Sequence, residues 1–180
     1  LYPLTQKSSI KKNTNKKSNR KTITSKILTK LRASNADIDF VGAMISCSHF
    51  VTSIHLTGTD SSASRIKIYQ LIHLNEQGLI PGLFLYLANR SIMLKEKEWQ
   101  ADPSAMTVIE ILNFYFRIYL PAKRKNPLLN GNDLQRELKI KPNSIIKTIL
   151  YKVEESRVIG IINSRPEAIQ LAKKIILAIK

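Results

Sequence analysis

Apolar residues return every three to four positions along most of the chain, and the strict alternation of a half-buried strand is not sustained anywhere. Ile23, Ile27, Leu28 and Leu31 fall at helical spacing and predict a helix that stops near Ala33. Ser34 with Asp37 three residues on forms a capping box, opening a second helix with Ile38, Val41 and Ile45 in one stripe. Residues 57–64, TGTDSSAS, are turn chemistry. A helix over 65–77 is expected to bury Ile68, Leu71 and Ile72 and to end at Gly78 as a C-terminal glycine. Residues 79–97 are apolar nearly all round in their first half, which predicts a helix central to the core. Asp102 before Pro103 caps a helix through Tyr119 that Pro121 is expected to close. A short helix ended by Pro142 follows, then one over 143–158 stopped around Gly160. Ser164, Pro166 and Glu167 open a last helix to Ile179. The expected fold is all-α, with seven to eight helices, short connections and no sheet.

Composition narrows the class. With 180 residues and 43% hydrophobic side chains the chain can bury a core, which excludes a wholly disordered protein. Six Gly and seven Pro exclude collagen-like and low-complexity classes. Cys47 is the sole cysteine, so an internal disulfide and a CxxC zinc site are excluded and a reducing compartment is the simplest setting. The apolar stretch 78–88 is interrupted by Pro81 and is far short of the roughly 20 residues of a membrane span. The expectation is a protein without a membrane partner, or at most surface-bound. The first residue is Leu rather than Met, which suggests a processed product or a piece of a longer chain. Abundant Ile, Lys and Asn use A/T-rich codons, and the expected location is the cytoplasm or a plastid stroma.

Charge is strongly uneven. The formal net charge is +16, from 29 Lys+Arg against 13 Asp+Glu. Residues 1–36 carry basic side chains and no acid, 37–121 are close to balanced, and 122–180 are basic again. Residues 4–22 are nearly devoid of apolar side chains and read as a disordered basic arm or linker. The expected organisation is therefore an arm over 1–22, a helical body over 23–121 and a basic helical tail over 122–180.

Catalytic patterns fare poorly. Asp37-Ile38-Asp39 matches a D-x-D metal pair, but positions i and i+2 on a helix point about 200° apart. His49, His55 and His73 lack an adjacent His-Asp pair, and neither a Gly-rich phosphate loop nor a nucleophile with a neighbouring base is evident. The Glu154-Glu155-Ser156-Arg157 run could read a nucleotide edge through carboxylate and guanidinium, but on a helix such a run is more often a surface ion-pair cluster. Phe114, Tyr115, Phe116 and Tyr119 could stack bases, but core packing is favoured because Ile111, Leu112 and Ile118 share their helix.

What remains is electrostatic. Lys123, Arg124, Lys125, Arg136, Lys139, Lys141 and Lys147 fall close together in sequence, several near a helix start whose free N–H groups favour phosphate. Arg65 and Lys67 are a second candidate contact. These cations are expected to bind phosphate groups with salt-sensitive affinity.

The same region carries a resemblance. Pro127-Leu-Leu-Asn-Gly-Asn-Asp-Leu134, the stretch from Glu137 to Pro142, Ile149-Leu150, Gly160 and Ser164-Arg-Pro-Glu-Ala168 resemble the C-terminal region of bacterial-type tRNA nucleotidyltransferases and poly(A) polymerases. Upstream, Ile27-Leu28, Leu31-Arg32, the run from Ser34 to Val41, His49 and the run from Leu85 to Arg90 are similar to the helical region preceding that tail, so the resemblance covers about residues 24–174. It implies the body and tail of a nucleotidyltransferase, a region that holds tRNA while nucleotides are added to its 3' end, with tRNA or another structured RNA as the partner of these cations. The family's catalytic head, with its Gly-Gly-x-Val-Arg-Asp turn, D-x-D pair and Glu-Asp-x-x-Arg element, has no match here, so whether the chain belongs to an active enzyme is left open. No cofactor is expected in this chain; Mg²⁺ and ATP or CTP are implied only with a head domain on the same or another chain. Relatives carry Gly-Pro where this chain has Asn143-Ser144, and Gly where it has Lys147. Of the His-rich metal motif found near 47–50 in relatives with an HD phosphohydrolase-like region, only His49 is present. An HD-type phosphohydrolase remnant and a helical protein-interaction module are the alternatives.

Overall fold

A computed structural model describes residues 23–54, 61–93, 102–139 and 144–179, and their regular structure is helical throughout, with no strand among the described residues. The all-α expectation holds. The helices are α1 over 23–30, α2 Asn35–Ser53, α3 Ser62–Asn75, α4 Leu79–Met93, α5 Pro103–Phe114, α6 Gly131–Leu138, α7 Ser144–Val158 and α8 Arg165–Ile179. A 3₁₀ turn Glu76–Gly78 joins α3 to α4, and α5 runs on through a π turn Tyr115–Tyr119 into Leu120–Lys123. The chain divides into two compact units, Leu1–His55 with Leu71–Val108, and Leu56–Gln70 with Ile109–Lys180.

In the first unit, α1 ends with Arg32 in the left-handed region (φ 57°), and the Ala33 N–H donates back to the Leu28 carbonyl at 3.0 Å. Ser34 then caps α2: its hydroxyl accepts from the Asp37 N–H at 3.2 Å while the Asp37 carboxylate accepts from the Ser34 N–H and hydroxyl. The expected stripe Ile38, Val41, Ile45 is only half-buried. Cys47, Ser48 and Val51 form the buried line of α2.

Packing of α2 against α4 rests on two glycines. A Cβ on Gly78 would overlap the Met44 nitrogen and the Ala43 carbonyl carbon, and one on Gly82 would lie 2.5 Å from Cys47 Cβ and 2.7 Å from the Met44 oxygen. Gly78 is thus a close-approach residue, not the C-terminal glycine expected from its position. Its φ is not positive, and the chain turns straight into α4. The helix expected to be central to the core is one-sided: Leu79, Gly82 and Leu83 are buried, whereas Phe84, Ile92 and Met93 face solvent. Residues 94–97 of that expected helix lie outside the described residues. The 57–64 turn is shorter than expected, because Ser61 accepts from the Ser64 N–H at 3.1 Å and α3 begins at Ser62; 55–60 lie outside the described residues. Asp102 caps α5 as expected, accepting from the Ser104 N–H at 3.0 Å and pairing with Arg90 Nε at 3.0 Å.

In the second unit, Ile111, Phe114 and Tyr119 of the α5 stretch are buried, while Phe116 is exposed. Pro121 does not close this helix. It lacks the N–H for an i−4 bond and its ring crowds that carbonyl, and the widened turn just before it accommodates the misfit: the Leu120 N–H reaches back five residues to Tyr115. The helical path therefore ends at Lys123. Asn130 and Asp133 make a second capping box at α6. α6 ends at Leu138 because Lys139 adopts the left-handed conformation (φ 51°); Pro142, expected to end it, lies outside the described residues. Gly160 (φ 85°) terminates α7, and Glu167 accepts from the Asn163 N–H at 2.8 Å to open α8. Leu129, Leu134, Ile149, Val153, Ile162, Ala168 and Ala172 form the core among α6, α7 and α8.

Candidate nucleic-acid interface

The motif of the resemblance is a folding element in this chain. Leu129 and Leu134 fill the core on either side of the Asn130–Asp133 box, and a Cβ on Gly131 would only just touch Ile146 at 3.9 Å. Asp133 is buried and serves three partners: the Asn130 N–H at 2.9 Å, Arg165 Nη2 at 2.8 Å and Arg136 Nη2 at 3.3 Å. The Arg165 guanidinium, followed by the Asn130 N–H, holds this carboxyl below the usual carboxylate range. Arg165 also reaches Glu137 at 3.3 Å, tying the start of α8 to α6.

The Glu154–Arg157 run is not a loose surface cluster, and that expectation is corrected. The Arg157 side chain is 10% exposed; its Nε donates to Glu154 at 2.9 Å and its Nη2 donates to the Ala122 carbonyl at 2.9 Å. Glu155 is buried, accepting from Gln70 Nε2 at 3.1 Å and from Lys152 Nζ at 2.6 Å. The Tyr151 hydroxyl donates to it at 3.4 Å, and burial first, then the Glu155 charge, push that phenol up to about 12. Tyr69 lies 6.0 Å from Tyr119 and 5.8 Å from Tyr151, ring centre to ring centre. Arg157 therefore ties α7 to the end of the α5 stretch, immediately before the basic turn.

On that scaffold the expected RNA-binding side chains separate into two groups. Lys123, Arg124 and Lys125 are exposed where the α5 stretch ends, Lys139 is exposed just past α6, and Lys147 is exposed in the first turn of α7. Lys67 is exposed on α3. Two others have partners within the protein: Arg136, itself exposed, pairs with Asp133 and Glu137, and half-buried Arg65 donates to the Ile159 carbonyl at 3.5 Å. Lys141 lies outside the described residues. Every carboxylate of 122–180 has a partner: Asp133 and Glu137 with arginines, Glu154 with Arg157, Glu155 with Lys152, and Glu167 with backbone N–H groups. The acids are committed, so the excess positive charge faces solvent. Exposed Lys173 and Lys174 on α8 add to it. They were passed over because they lie in an otherwise apolar helix; their adjacency, which forces one or both off the buried face, was the available signal.

Among the described residues the remaining candidates are not brought together into one cluster. Asp37 is held in its capping box, His49 and His73 are exposed, and His55 lies outside the described residues. Among the described residues no group of three His, Cys, Asp or Glu side chains could hold a metal ion, and no helix is long and apolar enough to cross a membrane. Of the four aromatics weighed as a stacking platform, Phe114 and Tyr119 are core residues, and Tyr115 stacks on Tyr119 with centroids 5.8 Å apart. No protein-family model, curated protein or solved structure matches the chain.

Proposed function

We propose that this chain is the tRNA-binding helical region of a tRNA nucleotidyltransferase/poly(A) polymerase-like protein, holding RNA for 3'-end addition by a catalytic head whose motifs its sequence lacks. The observation that carries the proposal is the uncompensated charge of the second unit. The carboxylates of residues 122–180 are spent on internal partners, and Arg124, Lys125, Lys139, Lys147, Lys173 and Lys174 project into solvent. Such a surface grips phosphates irrespective of base identity, so affinity falls as salt displaces it. The proposal includes no catalytic residue. Mg²⁺ and ATP or CTP would belong to the head domain.

The test is a fluorescence titration of labelled tRNA over a range of salt. Reversal of Lys123, Arg124 and Lys125 to Glu is expected to weaken binding at least about tenfold and to flatten the slope of log K against log salt by about two. An unchanged titration with a folded variant refutes the proposal.

A further inference from the structure

α1 carries its apolar side chains outward. Ile23, Ile27 and Leu31 are 57%, 54% and 72% exposed, while Leu28, one step round the helix, is half-buried. At about 100° per residue the three exposed side chains lie within about 80° of one another, and Lys26 and Lys30 flank them within about 60° on the Ile23 side. Both lysines are exposed, as is Arg32 after the last turn. Lys7, Lys11, Lys12, Lys16, Lys17, Arg20 and Lys21 precede this helix in sequence, with no acid among residues 1–36. The result is an aliphatic stripe with a cationic rim, continuous in sequence with a polybasic segment.

Three kinds of partner carry the complementary negative charge. RNA gains nothing from the stripe, since 23–33 contain no aromatic ring for a base to stack on and aliphatic side chains offer phosphate no bond. A folded acidic protein would need roughly 800 Å² of matched surface on this side, far more than the outer face of so short a helix. An anionic bilayer requires no shape match. It accepts the aliphatic stripe among its acyl chains, lets Lys26 and Lys30 extend to the headgroups, and sums the charge of the preceding segment over many lipids. One weak apolar anchor plus one polybasic segment is the two-signal combination that gives stable peripheral attachment. We infer that α1, with the basic residues before it, docks on an anionic phospholipid surface, lying on it without spanning it. Hydropathy alone did not anticipate this, because it tests for spanning segments, whereas here the exposure of the stripe is decisive.

The test uses the full chain and vesicles of either phosphatidylcholine alone or phosphatidylcholine with 30% phosphatidylserine, read by co-sedimentation. The expected result is binding to the serine-lipid vesicles and not to the neutral ones. The double variant Ile27→Ser, Leu31→Ser, which keeps every charge, should bind at least about tenfold more weakly, and Lys26→Gln, Lys30→Gln should bind more weakly with a flatter salt dependence. Both sets of positions are solvent-exposed, and circular dichroism checks that the variants fold. Absence of binding to the anionic vesicles, equal binding by the serine variant, or equal binding to neutral vesicles overturns the inference. If the serine variant keeps its vesicle binding but loses tRNA binding, the stripe belongs to the RNA instead. The vesicle assay contains no RNA, so its failure is distinguishable from failure of the proposed function.

Discussion

Replacing Gly82 by Ala tests the most demanding contact in the first unit. The added methyl would sit 2.5 Å from Cys47 Cβ and 2.7 Å from the Met44 carbonyl oxygen. Ordinary contact begins about 1 Å farther out. One of those atoms is backbone and the other is bonded directly to it, so no rotamer change relieves the overlap and α2 and α4 must move apart by about 1 Å. A gap of that size forfeits a quarter to a half of each dispersion contact across the seam, or about 1 kcal/mol for each well-packed side chain. Cys47, Val51 and Leu83 are all essentially buried there, so the loss is about 3 kcal/mol. Against it stands the helix preference of Ala over Gly, about 1 kcal/mol. The loss wins by about 2 kcal/mol, which for a chain of this length is a fall in Tm of about 4–8 °C. Thermal unfolding followed by circular dichroism measures it. An unchanged or raised Tm would mean that propensity outweighs packing and that the helices are not in contact at Gly82.

Three further outcomes follow from the buried and paired groups. Asp102, Asp133 and Glu167 are all held below their ordinary ranges, by the Ser104 N–H, the Arg165 guanidinium and the Asn163 N–H respectively. Their contribution is full above the unfolded pKa of about 4 and is lost as pH falls through the lower folded values, so Tm should hold from pH 7 to 5 and drop below pH 4; a flat profile down to pH 3 counts against the pairings. Arg157→Ala strands Glu154 and the Ala122 carbonyl and should cost about 2–4 kcal/mol in urea unfolding, with Arg157→Lys recovering only part, since one ammonium cannot reproduce the fork; a loss under about 0.5 kcal/mol rejects the clamp. The Cys47 thiol is fully buried and pushed up to about 12 by desolvation, so an aromatic disulfide reagent at pH 8 should label it only at the rate of unfolding, and rapid labelling of the native protein would contradict its place under α4.

Local features were legible in the sequence because their partners lie within a few residues. Ser34 and Asp37, Asp102 and Pro103, Ser164 and Glu167, and Gly160 each announce a helix end through bonds or dihedrals confined to one turn. Gly78 was misread because its reason is Met44, distant in sequence and close only once α2 and α4 pack. Pro121 was misread because a π turn, which has no composition signal, absorbs it. The cations of the interface were visible as residue types, but their availability was not. Arg136 and Lys139 are three residues apart and both exposed, and only the fold shows that Arg136 pairs with Asp133 and Glu137. Glu154 and Arg157 looked like a solvated pair because Gln70 and the Ala122 carbonyl, which make the neighbourhood a buried tie, are far away in sequence.

Lys139 separates folding from binding more cleanly than any other position. It holds φ 51° at the end of α6, where glycine would sit without strain, as Gly160 does at φ 85° after α7. A non-glycine residue in this region costs about 1 kcal/mol, partly offset by the attraction of a cation to the carbonyl end of a helix, about 0.3–1 kcal/mol. Lys139→Gly should therefore leave stability unchanged or raise it by about 0.5 kcal/mol. If the exposed ammonium contacts phosphate, the same variant should weaken tRNA binding about threefold to tenfold and reduce the salt slope by about one. A purely structural lysine predicts the reverse pattern, lower stability with unaltered RNA affinity. Measuring urea unfolding and the tRNA titration on one preparation decides between them, because gain in one and loss in the other cannot both arise from a damaged fold.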